Sequence, residues 1–208
     1  MLNPGSLSLY LCTDRKLLFG RPLPEAVEAA IEGGVTMVQL REKDASGREF
    51  FDIAREILAL TRSKGIPLII NDRLDIALAA GACGVHFGQS DLPCLEARRL
   101  AGKDFIIGVS AHTPEEALAA QRDGADYIGA GAVFPTGSKA DVSAVIGIEG
   151  IRAVAGAVKI PVVGIGGINP GNAAFVTAAG AAGVAVISAI LSQPDIRAAA
   201  LALKRCAG

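Results

Sequence analysis

The chain has 208 residues, enough for one sizeable core and short of the length at which chains usually split, so one domain over 1–208 is expected. Lysine and arginine total 20 against 21 acidic residues, a balance that gives no electrostatic case for nucleic acid or an anionic membrane as partner. Cys12, Cys83, Cys94 and Cys206 form no Cys-x-x-Cys pair and read as reduced thiols, and the first apolar run is too short for a signal-peptide core or a membrane span, which together favour the cytoplasm.

Short apolar runs recur along the chain near Leu7–Cys12, Thr36–Leu40, Leu68–Ile70, Gly84–Phe87, Phe105–Val109, Tyr127–Ala130, Val162–Ile165 and Val184–Ile187. Each is followed by a segment with helical period or start signals, and this alternation predicts parallel strands joined by right-handed crossovers. Val27, Ala30, Ile31 and Gly34 share one helical face, as do Phe50, Ile53, Ala54, Ile57 and Leu58. Ser46 with Glu49, and Thr113 with Glu116, have capping-box spacing, while Pro114 and Pro170 are expected at first helical positions. Eight such units in about 200 residues predict a closed (β/α)8 TIM barrel, because a doubly wound open sheet would carry a Gly-x-Gly-x-x-Gly turn after its first strand and none occurs.

Residues able to do chemistry fall just past the strand ends. Gln39, Arg41 and Lys43 follow the second run, Asn71 and Asp72 the third, and His86, Gln89 and Asp91 the fourth. Ser110 and His112 follow the fifth, Thr136, Ser138 and Lys139 the sixth, Gly166 and Gly167 the seventh, and Ser188 the eighth. In a barrel these ends converge on one mouth. Loops are polar in any protein, but the residue types are selective: cations in Arg41, Lys43 and Lys139, hard oxygen ligands in Asp72 and Asp91, and bare backbone in two glycine-bearing turns. Gly164-Ile165-Gly166-Gly167-Ile168 and Ile187-Ser188-Ala189-Ile190 place amides and a hydroxyl where barrel enzymes grip phosphate. Asp72 and Asp91 follow adjacent strands and are candidate Mg²⁺ ligands, with helix capping as the alternative for each. His86 reads as a core histidine, and His112 as either a general base or a capping residue. The longest stretch without a clear pattern, Phe134 to Gly147, is expected to be a functional loop.

Taken together, Gln39-Leu40-Arg41-Glu42-Lys43, Asn71-Asp72, Gly84 to Pro93, Gly108 to His112, Val133 to Lys139 and Gly166-Gly167-Ile168 resemble, in order, the motifs of the thiamine-phosphate synthase family. The resemblance spans most of the chain. It implies a transferase of thiamine biosynthesis that joins 4-amino-2-methyl-5-hydroxymethylpyrimidine diphosphate to a thiazole phosphate, giving thiamine phosphate and pyrophosphate with Mg²⁺ as cofactor. By the same resemblance, Gln39, Leu40, Arg41, Glu42, Lys43, Asn71, Ser110 and Lys139 would hold the pyrimidine diphosphate, with Arg41, Lys43, Ser110 and Lys139 acting in catalysis and Asp72 and Asp91 on the metal. Thr136, Gly137, Ser138, Gly166, Gly167, Ile187 and Ser188 would hold the thiazole phosphate. Thr136-Gly137-Ser138-Lys139 stands where many members have Thr-x-Thr-Lys, which keeps the hydroxyl and loses a methyl group. Because water must be excluded during transfer, the Phe134–Gly147 loop would close as a lid carrying Lys139.

Two other readings remain at this point: a thiazole tautomerase with His112 as acid or base, and a sensor that binds a phosphorylated metabolite without turning it over. Neither needs the diphosphate and metal residues. The partners expected are small phosphorylated molecules; a homo-oligomer is compatible with the sequence, which does not fix the oligomeric state.

Overall fold

The computed structural model describes residues 2–137 and 145–207. Eight parallel strands close into a barrel in sequence order: β1 (Leu9–Cys12), β2 (Met37–Leu40), β3 (Leu68–Asn71), β4 (Gly84–Phe87), β5 (Ile106–Ala111), β6 (Tyr127–Gly131), β7 (Val162–Ile165) and β8 (Gly183–Val186). The ring closes where β8 pairs with β1, with Tyr10 opposite Ala185. Helices follow the strands on the outside: α1 (Leu23–Glu32), α2 (Gly47–Ser63), α3 (Leu74–Ala80), α4 (Cys94–Ala101), α5 (Pro114–Arg122), α6 (Gly147–Ala157) and α7 (Ala173–Ala178). A short α8 (Ser188–Leu191) and a longer α9 (Ile196–Ala207) follow β8.

All four residues of β1, β2, β3, β4 and β8 are buried, since a strand ringed by helices is covered on both faces. The apolar face expected on α2 is Phe50, Ala54, Ile57 and Leu58, all buried, with Ile53 at its edge. Small side chains on the sheet side of the other helices, among them Ala26, Ala30, Ala97, Ala117 and Ala120, let the helices approach the sheet closely.

The eight expected runs all fall on strands, and β4 and β7 match residue for residue. Elsewhere the ends differ by one or two residues. Leu7 belongs to a 3-10 turn, Pro4–Leu7, ahead of β1, and β8 begins at Gly183 and stops at Val186. Gly34 lies past the end of α1 with φ +105°, so it does not share that helix's face.

Helix starts are partly as expected. Pro114 is the first residue of α5, whereas Pro170 is not helical: the side chains of Asn169 and Asn172 close turns onto Gly171 N–H and Asn169 N–H, which delays α7 until Ala173. The two capping boxes form only by half. Ser46 and Thr113 accept from the N–H groups of Glu49 and Glu116, but the glutamates turn elsewhere, Glu49 to Arg15 and Glu116 to the backbone N–H and ring of His112.

Candidate active site

The carboxyl ends of the strands surround a cleft of about 870 Å³. Arg41 and Lys43 reach it past β2, Asn71 and Asp72 from β3, Asp91 past β4, and Ser110 from β5. Thr136 and Gly137 line it after β6, Gly166 and Gly167 after β7, and Ile187 and Ser188 after β8. Three candidates do not line it. Leu40 is fully buried, Gln39 faces a small chamber beneath the cleft, and Glu42 is held by Arg15 at 2.8 Å with its other carboxylate oxygen buried and unpartnered. Alternation along β2 accounts for Leu40, which points away from the barrel axis toward the helices while Gln39 points inward. Ser138 and Lys139 lie outside the described residues, as does the middle of the Phe134–Gly147 loop.

On the β2–β4 side the groups are charged and already paired. Lys43 Nζ lies 2.6 Å from Asp72 Oδ2, and Arg41 Nη1 is 3.6 Å from Asp14. The Arg41 backbone N–H donates to Thr13 Oγ1, which fixes the chain as it leaves β2. Asp72 sits at φ +62°, a left-handed conformation that Asp tolerates better than most residues, and its N–H extends the β3–β4 ladder to His86 O. Its carboxylate does not cap α3, whose N-cap is Arg73 with no side-chain bond. Asp91 is likewise no helix cap: its Oδ2 accepts the Gly88 N–H at 2.7 Å and draws its own loop closed.

These two carboxylates face each other. Burial raises the pKa of Asp91, the Gly88 N–H lowers it, and the adjoining Asp72 raises it again, for a net shift upward. A pair of partly buried carboxylates that repel each other is suited to a divalent cation. No cluster of three or more His, Cys, Asp or Glu ligands occurs among the described residues. Two carboxylates fit Mg²⁺, which completes its octahedron with phosphate oxygens and water, better than they fit zinc.

Across the cleft the groups are mostly backbone. Gly166 and Gly167 have φ of +103° and +65°, and a Cβ on Gly167 would lie 2.6 Å from Pro135 O, so neither position accepts a side chain. The Asn172 side chain holds the turn by donating to Gly167 O. Ser188 opens α8 directly after β8. The guanidinium of Arg21 donates to Leu191 O and Gln193 O and anchors the far end of that short helix.

Two histidines reach the cleft. His112, about one-third exposed, is oriented by Glu116 at 3.0 Å. His86 is buried with both ring nitrogens bonded, Nδ1 to Tyr127 Oη and Nε2 to Ser110 Oγ, each at 2.9 Å. It is therefore a satisfied core histidine that also touches a candidate site residue. Gln89, whose side chain donates to Ser110 O at 2.6 Å, holds the same residue from above. Tyr10 and Tyr127 gave no sequence signal, because a tyrosine in a strand buried on both faces reads as core whichever way it points.

A parallel eight-stranded barrel with cations and carboxylates on one side of its mouth and a glycine turn on the other is the architecture of an enzyme for small phosphorylated substrates. A family model described as thiamine monophosphate synthase matches residues 9–190. The chain is 55% identical over 196 residues to the thiamine-phosphate synthase of Moorella thermoacetica, covering 94% of this chain and 93% of the relative. It is 54% identical over 192 residues to the thiamine-phosphate synthase of Clostridium botulinum, covering 92% and 94%. Among solved structures, a thiamine phosphate pyrophosphorylase from Pyrococcus furiosus superposes with TM-score 0.90 at 44% identity, over 98% of this chain and 96% of that one. The chain belongs to the thiamine monophosphate synthase family.

Proposed function

We propose that this barrel is a transferase that condenses 4-amino-2-methyl-5-hydroxymethylpyrimidine diphosphate with a thiazole phosphate, releasing pyrophosphate and thiamine phosphate. The observation that carries this reading is the division of the cleft: cationic and carboxylate side chains at the ends of β2–β4 face a side-chain-free turn after β7. The first set suits a diphosphate leaving group and the second a phosphate monoester.

In this reading the bond between the pyrimidine methylene carbon and the diphosphate oxygen breaks first, its electron pair leaving with pyrophosphate. The thiazole nitrogen then attacks the methylene cation, which the ring's amino group stabilises. Arg41, Lys43 and Lys139 stabilise the developing negative charge; at an effective dielectric near 20, each close charge pair contributes about 4 kcal/mol before desolvation. Asp72 and Asp91 would hold Mg²⁺, which when bound would supply further charge neutralisation for the diphosphate. Asn71 and Ser110 orient the pyrimidine half, while Gln39 acts from the chamber beneath the cleft through its bond to Tyr10. Thr136, Ser138, Gly166, Gly167, Ile187 and Ser188 hold the thiazole phosphate in line with the methylene group, which turns a bimolecular attack into a local one. Leu40 and Glu42 act through packing and through the Arg15 ion pair, away from the substrate.

A cytoplasmic setting accords with cysteines that form no disulfide among the described residues; no helix among those residues is long and apolar enough to cross a membrane. The tautomerase and sensor readings leave the Lys43, Asp72 and Asp91 cluster without a task. The test is direct: purified protein, both substrates and Mg²⁺ should give thiamine phosphate and pyrophosphate in equal amounts. Interconversion of thiazole phosphate tautomers with no thiamine phosphate formed would replace this reading with the isomerase.

A further inference from the structure

A chain of hydrogen bonds crosses the barrel beneath the cleft. The Gln39 amide nitrogen donates to Tyr10 Oη at 2.8 Å, and the Tyr10 and Tyr127 hydroxyls are 2.8 Å apart. Tyr127 Oη lies 2.9 Å from His86 Nδ1, and His86 Nε2 lies 2.9 Å from Ser110 Oγ. Gln39, Tyr10, Tyr127 and His86 are buried, and Ser110 lines both the small chamber below and the cleft above. The rings also support one another, Tyr10 edge-on to Tyr127 with centroids 6.0 Å apart and His86 tilted over Tyr127 at 5.5 Å. Room for this arrangement comes from Gly108, where a Cβ would lie 2.1 Å from Tyr127 Cζ.

The chain has a direction. An amide nitrogen only donates, so the Tyr10 oxygen accepts at the Gln39 end and its proton requires an acceptor, which the Tyr127 oxygen supplies. Tyr127 in turn passes its proton toward His86 Nδ1. An Nδ1 that accepts leaves the ring proton on Nε2, and Nε2–H then donates to Ser110 Oγ. Burial raises the pKa of both phenols well above the ordinary range, so both keep the protons the chain needs. Leaving a member of such a buried network unsatisfied is costly, which opposes any reversal partway along it.

We propose that Tyr10, Tyr127 and His86 are positioning residues whose one-way chain fixes His86 as the Nε2–H tautomer and turns the Ser110 hydroxyl proton into the cleft. Ser110 therefore meets its ligand with a proton to donate, and the atom that takes it is an acceptor, a ring nitrogen or a phosphate oxygen. Only the identity of that ligand, the pyrimidine diphosphate, rests on the synthase reading.

Nitrogen-15 NMR of the intact protein tests the chain without any reaction. There are only two histidines, so a His112→Asn variant assigns the signals. His86 should show an unprotonated Nδ1 and a protonated Nε2, and Tyr127→Phe should release that preference. In kinetics, Tyr127→Phe should raise KM for the pyrimidine diphosphate by about five- to tenfold and leave KM for the thiazole phosphate unchanged, as for loss of one neutral hydrogen bond. A protonated Nδ1 in the intact protein, whether the ring is neutral or doubly protonated, overturns the proposal even if the synthase is active. The expected tautomer in a protein that makes no thiamine phosphate would leave the positioning chain standing and remove the functional reading instead.

Discussion

In the proposed reaction the two sides of the cleft have the same task, holding phosphate, and they bring different materials to it. The β2–β4 side uses long side chains already engaged with one another, Lys43 on Asp72 and Arg41 near Asp14, so a ligand must exchange existing pairs for its own. The β7–β8 side uses backbone whose shape is set by left-handed glycines and locked by Asn172. Side chains can follow a charge that moves during bond breaking, whereas a rigid amide turn suits a phosphate that only has to stay in place. The side-chain half should therefore govern catalysis, and the backbone half affinity.

The largest effect should come from the charged half. Asp72→Ala and Lys139→Ala are each expected to lower kcat by about 10³-fold with the fold retained, since in the proposed reaction each removes a charge that acts on the leaving group. Near-normal turnover in either variant, measured as pyrophosphate release, would break the division. Gly167→Ala should act the other way, raising KM for the thiazole phosphate about tenfold and costing roughly 1–3 kcal/mol in a denaturant melt, because the left-handed backbone has no room for a methyl group. An unchanged KM would show that the turn does not hold phosphate.

Acidity sharpens the same contrast. The raised pKa of Asp91, caused first by burial and then by Asp72, means that it keeps its proton to a higher pH than an ordinary carboxyl group. As a proposed ligand of Mg²⁺, it would be contested by metal and proton. Lowering the pH through that pKa should weaken Mg²⁺ activation by about tenfold per unit, beginning above the ordinary carboxylate range, while affinity for the thiazole phosphate is not tied to that group. Mg²⁺ activation that stays flat down to the ordinary range would separate Asp91 from the metal. The smallest effect is expected at His112, where Asn should change turnover by no more than about threefold; a loss of about 10²-fold or more would make it a proton-transfer group.

The barrel was legible because its signal repeats: eight apolar runs, each followed by a helical segment, leave few alternatives even when single boundaries are off by a residue. The rim was legible for the same reason, since position just past a strand end decides which side chains meet. Depth was not. Nothing in Gln39-Leu40-Arg41-Glu42-Lys43 says that only Arg41 and Lys43 line the cleft, because a strand covered on both faces shows no polar alternation. The same masking hid Tyr10 and Tyr127 and made His86 look inert, when its bond to Ser110 is what connects the core to the cleft. Asp72 and Asp91 could be read as helix caps until the structure showed that neither makes a capping bond.

Calorimetric titration with inorganic pyrophosphate, with and without Mg²⁺, on the unaltered protein and on Asp72→Asn addresses the division most directly. We expect tight binding only with Mg²⁺, lost in Asp72→Asn while thiazole phosphate still binds. Equal pyrophosphate affinity in the presence of a chelator, or in Asp72→Asn, would contradict it.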